Sequence, residues 1–112
     1  MKNRNGKGKL EEELYDKQVI ICKAFANPVR LRILDMVAKR DRSVSELHQT
    51  LDISEANLSQ HLAVLKAAGV VTTHRTGKQV HCHLALPEVK QACALIRNVL
   101  RAQIRNGQRL EI

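Results

Sequence analysis

Eight residues of this chain have the types and spacing to address a polyanion: Ser54, Ala56, Asn57, Ser59, Gln60 and His61 in one stretch, then Arg75 and Lys78. At about 100° per residue, Gln60 and Ala67 point directly away from the apolar stripe of Leu58, Leu62 and Leu65, with Ala56, Asn57, Ser59, Ala63 and Val64 around them. An ordinary solvated helix face would carry Lys and Glu. This one carries small residues, which permit close approach, and Asn, Gln and Ser, which can hydrogen-bond base edges and phosphates in a major groove. His61 flanks the leucine stripe, where hydrogen-bonded packing or a phosphate contact is favoured over metal ligation. The bland alternative is a small all-α domain whose outer face is merely neutral.

Thiol and imidazole chemistry come next. Cys22 and Cys93 each fall on the apolar face of a helix and form the candidate thiol sensor. Lys90 and Arg97, about one turn either side of Cys93, would favour its thiolate, leaving Cys22 as the resolving partner. Buried cysteines are more often small hydrophobes, and Cys82, at an inward strand position, reads that way. His74, His81 and His83 share an outward hairpin face close enough for a surface metal site, but solvated or phosphate-facing imidazoles fit better. No metal site and no cofactor is assigned. With no nucleophile–base pair and no glycine-rich phosphate loop, an enzyme is not expected.

The elements that must position these residues are legible from caps and periods. Met1 to Lys9 is polar and basic and reads as a disordered tail. A helix runs from Leu10 to Ala26, with Glu11, Glu12 and Glu13 in its first turn and Leu14, Gln18, Ile21, Cys22 and Phe25 on one face. Asn27-Pro28 restarts a helix to about Lys39, with Leu31, Leu34, Val37 and Ala38 inward. Ser43 and Glu46 form a capping box, Ser54 caps the next helix, and Gly69 ends it. The period then changes to two. Strands over 70–75 and 78–84 flank a Thr76-Gly77 turn, with Val80, Cys82 and Leu84 inward and Arg75 and Lys78 at the tip. Pro87 opens a last helix whose apolar face carries Val89, Ala92, Cys93, Ile96, Val99 and Leu100, and Asn106-Gly107 ends it. The fold class is therefore mostly α with a two-stranded β-wing, in the order α-α-α-α-β-β-α: a winged helix-turn-helix over residues 10–106, with a tail from 107 to 112.

Composition agrees. The 112 residues carry 19 basic and 11 acidic side chains, a formal charge of +8, which suits a polyanionic partner. No apolar run reaches membrane-spanning length, and the N-terminus lacks a signal peptide's apolar core. Three cysteines without paired spacing argue for a reducing cytoplasm. No Trp, one Phe and one Tyr leave nothing on which to stack single-stranded bases, so duplex DNA is the expected partner.

Residues 25–34, FANPVRLRIL, resemble the ALANPxRLxIL segment that opens the ArsR family of bacterial winged-helix repressors. Val44-Ser45-Glu46-Leu47, then Leu58-Ser59-Gln60-His61-Leu62 with Leu65 and Gly69-Val70-Val71, resemble the family's helix-turn-helix, and Gly77-Lys78-Gln79-Val80 with Leu84 its wing. The resemblance covers roughly residues 24–100. It implies a homodimer built from the first and last helices, bound to an imperfect inverted repeat and repressing until an inducer arrives. The family's inducer sites are not matched. Metal sensors carry Cys-Val-Cys where this chain has Ser43-Val44-Ser45, and zinc sensors need His and carboxylate ligands where it has Leu86, Glu88, Val99 and Ala102. Dithiol sulfide sensors have a cysteine at the place of Asp35 and another near the chain end, where none is found here. The expectation is a sequence-specific dimeric repressor released by an unknown inducer, with Cys22 and Cys93 as its candidate switch. A regulator with neither metal nor thiol switch, and a winged helix that docks on protein, are the alternatives.

Overall fold

A computed structural model describes residues 6–107. The elements are α1 (Gly6–Phe25), α2 (Pro28–Lys39), β1 (Arg42–Ser43), α3 (Val44–Thr50), α4 (Glu55–Ala67), β2 (Val71–Thr76), β3 (Gln79–Leu84) and α5 (Pro87–Arg105). The local signals act as read. The Asn27 side chain accepts from the Val29 and Arg30 amides at 2.9 and 3.1 Å, ahead of Pro28 at the first helical position. At α3 the capping box is complete: the Glu46 amide donates to Ser43 Oγ and the Ser43 amide to Glu46 Oε1, both at 3.0 Å. Gly69, at φ +76°, closes α4. Its amide donates to the Lys66 carbonyl and the Val70 amide to the Leu65 carbonyl, the paired bonds of a Schellman motif, with Leu65 and Val70 both buried beneath.

Three features differ from expectation. First, α1 begins at Gly6, so residues 6–9, expected in a disordered tail, are helical and the three glutamates lie beyond the first turn. Lys9 and Glu13 fall one turn apart, a spacing that supports the helix just past the glycines. Residues 1–5 and 108–112, the rest of the two expected tails, lie outside the described residues. Second, the sheet has three strands, in the order β1-β3-β2, because Arg42 and Ser43 pair antiparallel with Cys82 and His81. Third, the wing turns at Gly77-Lys78, since Thr76 pairs with Gln79. Gly77 has φ +63°, and among the described residues no other type of residue has positive φ, the pattern of a II′ hairpin with glycine first.

The core joins Ile33, Leu34 and Val37 of α2 to Leu47, Leu51, Leu58, Leu62 and Leu65 of the helix-turn-helix, Val71 and Cys82 of the sheet, and Val89 and Cys93 of α5. Leu31, expected inward, is exposed. Among the described residues of α1 only Ala24 is buried. Leu10, Leu14, Tyr15, Val19, Ile20 and Ile21 on α1, and Leu95, Ile96, Val99, Leu100 and Ile104 on α5, remain open to solvent. The radius of gyration is 16.9 Å, against about 13 Å for a compact chain of this length. Helices α1 and α5 thus stand off a small core with their apolar faces uncovered. No described helix is long and apolar enough to cross a membrane.

Candidate nucleic-acid interface

With Leu58, Leu62 and Leu65 buried, α4 turns Ala56, Asn57, Ser59, Gln60, Ala63 and Ala67 outward, all exposed. Ser54 is also exposed, and its Oγ accepts from the Asn57 amide at 3.1 Å, which fixes the first turn of the helix. The amides at this end carry the positive pole of the helix dipole, the end that favours an anion. Six of the eight residues singled out from sequence are therefore brought to one helix and its cap, and five of them share its open side.

His61 is half-buried and otherwise engaged. Its Nδ1 lies 3.2 Å from Arg30 Nη1. Guanidinium only donates, so Nδ1 accepts and the neutral ring carries its hydrogen on Nε2. Burial, and then the Arg30 charge, push this imidazole below its ordinary pKa and keep it neutral.

The sheet supplies the flank. Residues 71, 73 and 75 of β2 share a face with 84, 82 and 80 of β3, which sends Arg75 to the side that meets α4. Between α4 and the wing lies a groove of about 610 Å³. Ser59, Ala63 and Lys66 of α4 line one wall, Thr73, Arg75, Lys78 and Gln79 the other, and Ser45 and His48 of α3 the end. Glu55 also borders it. Among the described residues Lys66, Arg75 and Lys78 have no ion-pair partner. Lys66 and His48 were not picked out from sequence. Lys66 lies seven residues after Ser59, on the same side of α4, and that spacing was the available signal.

The other candidates separate. His74 and His81, directly opposed in the β2–β3 register, stack with ring centroids 5.4 Å apart. His83 turns instead to Asp41, with Nδ1 2.9 Å from Oδ1. Among the described residues no three His, Cys, Asp or Glu side chains stand close enough to hold a metal ion. Ser43, at the place of a metal sensor's thiolate, is spent on capping α3.

All three cysteines are free. Cys22 is exposed on α1 and Cys93 buried on α5. The electrostatics at Cys93 run opposite to the expectation: burial first, and Asp35 second, push its thiol above the ordinary value, outweighing Arg97. Arg97 is committed elsewhere, its Nη2 donating to both Asp35 carboxylate oxygens at 3.0 and 2.9 Å and tying α5 to α2. Burial likewise raises the Cys82 thiol, in keeping with its place in the core.

Comparison with known proteins places this geometry. Residues 25–74 match the family described as "Helix-turn-helix domain". The chain is similar to the HTH-type transcriptional regulator Rv0081 of Mycobacterium tuberculosis, at 40% identity over 90 residues, 80% of this chain and 79% of that one. The crystal structure of that regulator superposes with a TM-score of 0.75 over 83% of this chain and 94% of its own. The transcriptional activator HlyU of Vibrio cholerae is 40% identical over 83 residues, 74% of this chain and 77% of its own, and its structure gives a TM-score of 0.71. A TM-score of 0.78 at 25% identity, covering both chains fully, is reached with Mb0332 of Mycobacterium bovis, described as the homodimeric winged helix-turn-helix DNA-binding domain of a possible ArsR-family regulator.

Proposed function

This chain belongs to the ArsR family of winged helix-turn-helix transcriptional regulators, and from that premise we propose that it is a cytoplasmic homodimer that binds operator DNA and represses transcription. One observation carries the reading: the open face of α4, small and uncharged, borders a groove holding three unpaired cations. That pairing separates the two tasks of a duplex reader. Helix α4 enters the major groove with Gln60 at the base edges and Asn57 and Ser59 beside it, while Lys66, Arg75 and Lys78 meet the phosphates on the wing side.

The uncovered faces of α1 and α5 supply the two-fold contact. They present eleven large apolar side chains that one protomer leaves open, more than solitary exposed residues account for. In this arrangement two half-sites lie about one helical turn, ~10 bp, or a multiple of it apart. Selection of duplexes from a random pool by the purified protein, followed by titration of the winners at several salt concentrations, tests the reading. A two-fold related pair of half-sites with salt-dependent affinity is expected. No enrichment, together with salt-independent capture of a protein partner, would favour the docking alternative.

A further inference from the structure

Arg30 stands in the first turn of α2, and its side chain bonds two other helices. Nε donates to the Ala24 carbonyl at 2.8 Å and Nη2 to the Lys23 carbonyl at 2.9 Å. Both carbonyls belong to the last turn of α1, where backbone acceptors have no partner within the helix. A cation there also meets the negative end of the helix dipole. Nη1 reaches across 31 positions of sequence to His61 Nδ1 on α4 at 3.2 Å. A planar guanidinium holds its donors in a fixed relative geometry, so three acceptors bound to it cannot move independently. The two helices it joins have different tasks. Helix α1 carries half of the uncovered apolar face, and α4 carries the open polar one.

We propose that Arg30 is a positioning residue for operator recognition: by clamping His61 of α4 to the end of α1, it sets the angle of the reading helix against the dimer helix, and so the distance between the two reading helices. The inference rests on the dimeric DNA-binding reading given above. It assigns half-site spacing to a contact made within one protomer. It also gives His61 its purpose, as the acceptor that completes the clamp.

The test compares the full-length wild type with R30K, H61L and H61N. Each is titrated with the selected operator, with operators whose half-sites are moved apart by one or two base pairs, and with a duplex holding a single half-site. Sedimentation and thermal melting establish that each variant is a folded dimer. The wild type should bind the native spacing best and the altered spacings weakly. R30K and H61L should bind the single half-site as the wild type does, yet lose about tenfold or more of the spacing preference, the effect expected on losing a hydrogen bond from a charged donor. H61N, whose Oδ1 takes the place of Nδ1, should retain it. Wild-type spacing preference in H61L, or a loss equal on single and paired half-sites, would overturn the inference. The H61L and H61N pair decides the matter even if R30K fails to fold. A wild type that binds no DNA at all would instead bring down the reading beneath it, and the inference with it.

Discussion

Replacing Ile96 and Leu100 by Asp should dissociate the dimer without dismantling the protomer. Full burial of a Leu or Ile side chain is worth about 1.5–3 kcal/mol. Ile96 and Leu100 still expose 56% and 42% in the protomer, so roughly half of that gain, ~0.7–1.5 kcal/mol per side chain, is left for an interface. A two-fold contact uses each residue twice, giving ~3–6 kcal/mol. At ~1.4 kcal/mol per decade, the dissociation constant should rise by about two to four decades. Bringing an aspartate against apolar surface adds its desolvation cost and favours the upper end. The fold should survive, because α5 is anchored by the buried Val89 and Cys93 and by the Arg97–Asp35 ion pair. Sedimentation equilibrium from nanomolar to micromolar concentration, with circular dichroism as the check on folding, measures both. A well-folded wild-type monomer at micromolar concentration, or an unchanged dissociation constant in the variant, would refute the assignment of this face.

Arg75→Ala with Lys78→Ala removes two cations per protomer and four per dimer; if each meets a phosphate, the slope of log affinity against log salt should fall by about 3 to 4, with random and selected duplexes weakened alike. Cys93, buried and with its thiol pushed up, should react with alkylating reagents far more slowly than an exposed thiol at neutral pH. Operator binding that responds to oxidant in the wild type and not in C22S/C93S would show that a thiol switch operates in spite of that barrier. Acid should destabilise the protein in two steps. The depressed His61 pKa means stability is lost as pH falls from the unfolded value of 6.5 through the folded one, whereas Glu46, held at about 2 by Arg40 and the Ser43 amide against 4.5 unfolded, loses its contribution as pH falls from 4.5 through about 2. Urea melts across pH should show the first step vanish in H61N and the second in E46Q, which keeps the capping acceptor.

The sequence disclosed what is local. Asn27-Pro28, the Ser43–Glu46 box, Ser54 and Gly69 act within four residues of themselves, so caps and breaks could be read directly. The alternation of Val80, Cys82 and Leu84 likewise oriented the wing. What stayed hidden depends on distant partners. A two-residue strand such as β1 shows no period, and only its pairing with β3 defines it. Cationic neighbours suggested an activated Cys93, but Asp35, 62 positions from Arg97, takes that charge for itself. Nothing in a one-dimensional pattern joins Arg30 to His61, 31 positions away. The exposed Leu31 and the exposed faces of α1 and α5 show the same limit from the other side, because periodicity finds an apolar stripe without saying which protomer buries it.

If the open face of α4 reads base edges, Gln60→Ala should separate specific from non-specific binding. Affinity of wild type and variant is measured at fixed salt for the selected operator and for random duplex of equal length. The variant should lose roughly 1–3 kcal/mol on the operator if Gln60 makes a bidentate base contact, lose almost nothing on random DNA, and relax the base preference at one position of each half-site. An equal loss on both duplexes, or none on either, would contradict base reading by this face.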